Sequence, residues 1–112
     1  MLTISARKSK IISATDKVEM NFNQNSAIER AKQDLAGRLG ISGNEIELVS
    51  VSEEDFPDGS LGAPVDDEMS AQMISSGWQV TLRAKENTYD YRADKYQLRL
   101  SSYDGKNHVI QM

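Results

Sequence analysis

Apolar residues near the start of the chain repeat with the period of a helix. Four of them recur at spacings of three and four residues: Ile28, Ala31, Leu35 and Leu39. Such a stripe is typical of an amphipathic helix that packs one face on a core. Ser26 and Glu29 have the spacing of a capping box, and Gly40 suits the left-handed position that ends a helix. The pattern therefore predicts a helix over about 27–39.

Alternating apolar and polar residues predict strands after the helix. The predicted strands cover residues 45–51, 78–84, 88–93 and 96–100, with a short one at 108–110. The apolar parity changes between Leu48 and Val49, which indicates either a β-bulge or a strand buried on both faces toward its end. One helix followed by a meander predicts an α+β fold, with the helix packed on a mainly antiparallel sheet of four or five strands.

A long segment at about 53–76 shows neither the apolar period of a helix nor that of a strand. It contains both prolines of the chain, Pro57 and Pro64. Proline fixes φ and glycine permits positive φ, so a loop rich in both is stiff without regular hydrogen bonds. We expect Leu61 either to be displayed outward as an anchor or to pack inward with Phe56 over the open end of the sheet. The candidate partner contacts in this loop are Phe56, Pro57, Asp58, Ser60, Leu61 and Met69.

Three apolar residues close this segment at roughly helical spacing: Met69, Met73 and Ile74. The spacing predicts a short amphipathic turn that caps the core. The alternative is a soft contact patch, since methionine adapts its shape to different partners.

Length and composition limit the class of protein. A chain of 112 residues without cysteine is long enough for one domain, 1–112, and uses no disulfide or cysteine-based zinc site. Residues 1–17 are expected to form a mobile arm or an edge strand. No apolar run has the length of a membrane span. The N-terminus lacks the charged-then-apolar order of a signal peptide, which predicts a cytoplasmic protein, or an exported one if a leader was trimmed.

The charges are distributed unevenly along the chain. The net charge is −4, and the stretch from Glu45 to Glu68 contains nine acidic residues and no basic one. An acidic surface repels a phosphate backbone, so nucleic acid is not an expected partner. The acids are interpreted either as a solvated surface or as a contact for a basic partner surface.

The sequence contains no recognisable catalytic or cofactor site. Ser60 lacks an evident base, because His108 is the only histidine and nothing in the sequence orients it. The acidic stretches 53–55 and 66–68 flank the loop without the pattern of a calcium loop. If folding brought them together, they would offer a weak calcium site or a hydrolytic carboxylate pair. We expect a protein that is not an enzyme and uses no cofactor or metal.

Five segments, taken in order, resemble an uncharacterised bacterial domain that is common in cyanobacteria and other lineages, often in exported or lipid-anchored proteins. The segments are 27–41, 45–51, 56–64, 77–82 and 89–94. The mark of that family is a Trp-Pro-Asp-x-Ser-Leu-Gly-Cys-Pro loop, and the resemblance covers about 26–100. This chain has Phe56 in place of the tryptophan, Ala63 in place of the cysteine, and 65–69 in place of Gln-Pro-Gly-Met-Met. The order of elements is also similar to PepSY and cystatin-like modules, some of which are linked to protease inhibition.

Three functional hypotheses follow. The first is a non-enzymatic binding module that contacts a protein partner through the 53–76 loop, with protease inhibition as one concrete form. The second is a structural or accessory domain whose loop only closes the sheet. The third is a weak calcium-binding or hydrolytic protein that uses the acidic stretches.

Overall fold

The computed structural model describes residues 21–69 and 72–112. Within these ranges it contains one long helix, a 3-10 turn at Gly43–Glu45 and five strands. The helix and strands are α1 (Gln24–Leu39), β1 (Glu47–Phe56), β2 (Ser75–Ala84), β3 (Asn87–Asp94), β4 (Leu98–Tyr103) and β5 (Lys106–Gln111). The predicted α+β fold is confirmed. The predicted arm or edge strand at 1–17 lies outside the described residues. In the part described, no helix has the length and apolar character needed to cross a membrane.

The helix is present as predicted, but it begins earlier. The side chain of Asn23 accepts a hydrogen bond from the Ser26 amide (2.8 Å), and the Ser26 hydroxyl accepts one from the Asn23 amide (2.9 Å). Ser26 therefore belongs to a capping box as its third helical residue, and the predicted cap at Ser26 with Glu29 was wrong. Asparagine caps a helix as well as serine does, so Asn23 allows three more residues to become helical. The predicted end is confirmed, because Gly40 is left-handed with φ of 67°.

The five strands form one antiparallel sheet in sequence order. The register between β1 and β2 shifts between Leu48 and Ser50, which makes Val49 the extra residue of a bulge. Leu48 before the bulge and Val51 after it therefore lie on the same face of the sheet, although an uninterrupted strand would place an even-numbered and an odd-numbered position on opposite faces. This confirms the bulge that the change of apolar parity indicated.

The first two strands are longer than predicted, and the predicted loop at 53–76 was wrong at both ends. Residues 53–56 pair with residues 75–78, so the connection between β1 and β2 covers 57–74. Apart from half-buried Val51 and buried Phe56, the side chains of β1 are exposed. A strand exposed on both faces needs no apolar alternation, which is why the sequence pattern did not show its second half.

The core lies between α1 and one face of the sheet. Helix residues Ala31 and Leu35 are fully buried against strand residues that include Val80, Tyr91 and Leu100. The Tyr91 hydroxyl also donates to Oδ2 of Asp34 (2.8 Å), which ties the sheet to the helix. Burial and this hydrogen bond both raise the pKa of Tyr91. The opposite face of the sheet is thereby left for the β1–β2 connection.

Candidate functional site

The connection between β1 and β2 lies over the face of the sheet opposite the helix. On that face the register places Gln79, Arg92 and Arg99 side by side on neighbouring strands. Both arginines donate hydrogen bonds to the backbone of residues 61–63. We call residues 57–68 the covering loop, since they cover a surface that would otherwise expose polar side chains to water.

Side chains from the end of β3 to β5 hold the backbone of the covering loop by its carbonyl groups. The pairs are Gln97 Nε2 with Gly59 O (2.8 Å), Arg92 Nη1 with Leu61 O and Gly62 O (both 3.1 Å), Arg99 Nη1 with Ala63 O (3.1 Å), and Asn107 Nδ2 with Pro64 O (2.7 Å). Five carbonyls within six residues thus have side-chain donors. A loop without regular secondary structure is thereby supplied with hydrogen bonds that a sheet or helix would otherwise provide.

Asp58 organises the start of the covering loop. Its Oδ1 accepts hydrogen bonds from the Ser60 hydroxyl (2.6 Å) and amide (3.0 Å), and from the Gly62 amide (3.4 Å). The hydrogen bond from the Ser60 hydroxyl is the main cause that lowers the pKa of Asp58. Leu61 and Gly62 both have positive φ, 58° and 70°. A left-handed leucine is strained, so the surrounding contacts must fix this conformation.

An ion pair between Arg99 and Glu68 closes the end of the covering loop. The Arg99 side chain is 1% exposed, and its two terminal nitrogens contact the two carboxylate oxygens of Glu68, one of them at 2.6 Å. Arg99 Nε also donates to Gln97 Oε1 (2.7 Å), and the Val65 amide donates to Glu68 (3.2 Å). The hydrogen bond from Arg99 is the main cause that lowers the pKa of Glu68. A buried guanidinium is tolerated here because a bidentate carboxylate and two further acceptors surround it.

The six predicted contact residues differ in burial. Phe56, Ser60 and Leu61 are buried, and Leu61 is fully inaccessible, so the inward arrangement of Leu61 is the one observed. Pro57 and Met69 are exposed, and Asp58 is half-buried. The three buried side chains are therefore not exposed to a partner, whereas Pro57 and Met69 face solvent.

The predicted cap over the core was wrong. Met69, Met73 and Ile74 are 96%, 63% and 69% exposed. The core is closed by α1 on one side and by the sheet on the other, and the covering loop lies on the opposite face of that sheet, so these residues are not needed as a cap. Their exposure matches the alternative expectation, which was a soft contact patch.

The acidic stretches do not converge in the structure. Residues 53–55 lie on β1, where neighbouring side chains point to opposite faces, and Glu68 is held by Arg99. Within 21–69 and 72–112, no three His, Asp or Glu side chains are grouped so that they could hold a metal ion. Ser60 donates to Asp58, whereas a ring nitrogen of His108 lies 3.2 Å from the Tyr103 carbonyl oxygen. Neither the carboxylate cluster nor a Ser–His pair is therefore assembled among these residues.

Four side chains hold the covering loop, and the sequence did not predict this role for any of them. They are Arg92, Gln97, Arg99 and Asn107. Arg92 and Arg99 occupy the polar parity of their strands, which in a sequence is indistinguishable from a solvent-facing position. A signal was present in the loop itself. A stretch with two prolines and few helix or strand formers must find side-chain donors for its carbonyls if it is buried.

We expect the stability of the protein to fall as the pH is lowered through the range in which Glu68 becomes protonated. A carboxyl group with a lowered pKa binds fewer protons in the folded state than in the unfolded chain. The stability it contributes is therefore present above its ordinary pKa of 4.5 and is lost as the pH falls through the lower, folded value. Thermal unfolding between about pH 5 and pH 3 should show a shallower loss of stability in Glu68→Gln than in the original protein. Equal slopes for both proteins would contradict this role of Glu68.

Comparison with known proteins identifies the family. A family model described as "Domain of unknown function (DUF8738)" matches residues 28–100. Comparisons with curated proteins and with solved structures gave no match. The likeness to PepSY and cystatin-like modules stays a prediction. The match runs from α1 into β4, and it includes the whole covering loop and both arginines that hold it. Since this region is more than half of the chain, the protein belongs to the DUF8738 domain family.

Proposed function

We propose that the protein is a non-enzymatic module that binds another protein through the exposed apolar residues that follow the covering loop. These residues, Met69, Met73 and Ile74, are called the contact patch below. The observation that carries the proposal is their exposure: three large apolar side chains within six positions face solvent, whereas Phe56 and Leu61 just before them are buried. Contiguous exposed apolar surface commonly marks an interaction site.

The covering loop supports this proposal by fixing the chain where it enters the contact patch. Glu68, next to Met69, is held by Arg99 and by the Val65 amide. A partner that binds Met69 therefore meets a backbone that is already ordered on one side, so little conformational entropy is lost on binding. Methionine side chains adapt to the shape of an apolar groove, which suits them to this contact.

The structural or accessory hypothesis is favoured by a different observation. Phe56, Ser60 and Leu61 are buried, and five carbonyls of the covering loop are paired with side chains of the sheet. A loop built in this way closes the sheet even when no partner is bound. Protease inhibition gains no support from Leu61, because the residue that an inhibitor would display is buried.

Affinity capture from an extract of the source cells tests the binding proposal. We expect Met69→Gln/Met73→Gln/Ile74→Gln to lose a partner that the original protein captures, with a melting temperature changed by no more than about 2 °C. Met112→Gln is the matched control, since Met112 is 76% exposed elsewhere on the chain. Captured proteins are quantified by mass spectrometry. Equal capture by the triple variant and the control would show that the contact patch binds no partner. It would support the structural hypothesis, in which the covering loop only closes the sheet.

A further inference from the structure

We propose that the outer edge of β1 binds an extended basic segment of a partner protein, which adds to the sheet as a sixth strand. This surface is separate from the contact patch, so the inference does not rest on that patch. In the described part of the chain, β1 pairs with β2 and with no other strand. In an antiparallel pair, alternate residues turn their N–H and C=O groups away from the partner strand. Among residues 21–69 and 72–112, the outer edge of β1 therefore presents a row of backbone groups without a strand partner, which is the template used in strand addition.

The length and regularity of β1 favour this use. It has ten residues, and its bulge at Val49 lies near one end. Residues 50–56 then pair regularly with β2, without a proline or a lysine. Proteins commonly protect an edge strand by making it short, by inserting proline or lysine, or by bending it with a bulge. Over residues 50–56, β1 has none of these devices, and its acidic side chains are its only charged protection.

Acidic side chains and a tryptophan form a groove beside this edge. The groove is lined by Glu53, Glu54, Asp55, Ser76, Gly77 and Trp78. The register places Glu53 opposite Trp78 and Asp55 opposite Ser76 on one face, with Glu54 on the other face opposite Gly77. Directly opposed side chains on a face are in contact range. A cation that reaches Glu53 therefore also lies near the Trp78 ring, whose face attracts positive charge.

The three carboxylates of this groove have no bound cation among the described residues. The ion pairs of residues 21–69 and 72–112 join Arg38 to Asp34, Arg83 to Glu47, Arg92 to Asp90 and Arg99 to Glu68. Asp55 accepts from the Ser76 hydroxyl (2.8 Å), and Glu54 accepts from the Ser52 hydroxyl (3.1 Å). These neutral donors leave the negative charges uncompensated. Alternate lysine or arginine side chains of an added strand would compensate Glu53 and Asp55, which share one face of the sheet.

Charge also selects a basic partner over a second copy of this chain. A twofold antiparallel pair that uses the regular stretch 50–56 is centred on Glu53. Glu53 of each copy then lies directly opposite Glu53 of the other, and Asp55 of each chain is a diagonal neighbour of that pair on the same face. Like charges on directly opposed positions destabilise a strand pair. An extended segment in which lysine or arginine alternates with β-branched residues has the complementary charge and the same strand preference.

The test uses a capped seven-residue peptide of alternating lysine and valine with the full chain. Trp78 is the only tryptophan and lines the groove, so its fluorescence reports binding directly. At about 0.05 M salt we expect saturable binding that weakens about tenfold or more in Glu53→Gln/Glu54→Gln/Asp55→Asn. Asp66→Asn/Asp67→Asn is the matched control, because these acids are exposed on the covering loop, and it should bind as the original protein does.

A second peptide separates strand addition from simple charge attraction. It carries the same lysines but has proline in place of the central valine, so it keeps the charge and cannot form the full backbone ladder. We expect it to bind about tenfold or more weakly than the first peptide. The inference is overturned if both peptides bind equally, if neither changes the fluorescence up to about 1 mM, or if the control variant loses as much affinity as the groove variant. A concentration-dependent dimer abolished by the groove variant would also overturn it, by assigning the edge to a second copy.

Discussion

Replacing Gly77 with alanine is expected to leave little folded protein. An ideal Cβ at this position lies 2.0 Å from the carbonyl oxygen of Ala93 and 2.9 Å from the Cα of Asp94. Both are backbone atoms of β3, to which Gly77 is paired through Asp94. The strand cannot withdraw without breaking this pairing, so the clash is not relieved by rotation of a side chain. We expect a loss of about 3 kcal/mol or more of unfolding free energy, a large part of the total for a domain of this size.

Gly37→Ala is the control for this substitution. Gly37 is exposed within α1, and nothing lies within 4 Å of its added Cβ. Alanine is the better helix former, so this variant should be more stable by about 0.5–1 kcal/mol. Urea and thermal unfolding followed by circular dichroism measure both changes. A Gly77→Ala protein that unfolds at the same urea concentration as the original would show that β2 and β3 do not approach each other closely at this point.

The elements that the sequence predicted well are those whose signal is local. The spacing of Ile28 and Leu35 identifies the helix, and Gly40 marks its end because a left-handed cap favours glycine. The change of parity at Val49 identified the bulge. An Asp-Gly pair is likewise a local signal for a tight turn, and Asp104 and Gly105 have the positive φ that such a turn requires.

The features that were missed depend on contacts between distant parts of the chain. The predicted strands 78–84 and 88–93 place the β2–β3 turn correctly, but its conformation was missed: Lys85 and Glu86 have φ of 51° and 73°, which glycine or asparagine normally supplies. The eight residue pairs between the two strands impose this turn conformation, and no residue type in the turn favours it. The second half of β1 was missed for a related reason. Its strand conformation comes from pairing with β2, while its side chains remain mostly exposed.

The candidate site was predictable in position but not in orientation. The sequence of Pro57, Asp58 and Gly59 indicates a turn, and the turn is present with Asp58 as its acceptor. Whether Leu61 points inward depends on what the sheet offers beneath it. That surface is made by Arg92 and Arg99, which follow Leu61 by more than thirty positions in the sequence. A loop motif read alone cannot indicate donors that lie on other strands.

The second large effect is expected from Arg99→Met, which removes the charge and keeps much of the side-chain volume. Glu68 loses its partner, the Ala63 carbonyl loses its donor, and Gln97 loses its contact with Arg99 Nε. Removing one member of a buried ion pair leaves a carboxylate without compensation and costs about 3–5 kcal/mol. For a domain of this size, that lowers the melting temperature by about 12 °C or more. Arg83→Met is the control: Arg83 and Glu47 form an exposed pair at 3.3 Å, which contributes about 1 kcal/mol or less.

The double variant Arg99→Met/Glu68→Met distinguishes an uncompensated charge from a lost hydrogen-bond network. If the unpaired Glu68 carboxylate causes most of the loss, removing it as well should restore about 1–3 kcal/mol relative to Arg99→Met alone. If the double variant is instead as unstable as the single one, the lost bonds to the Ala63 carbonyl and to Gln97 account for the effect. Both variants lack Arg99 and therefore lack these two bonds. A loss in Arg99→Met no greater than that in Arg83→Met would contradict both explanations. The covering loop would then be held by the burial of Phe56 and Leu61 and not by the arginine beneath it.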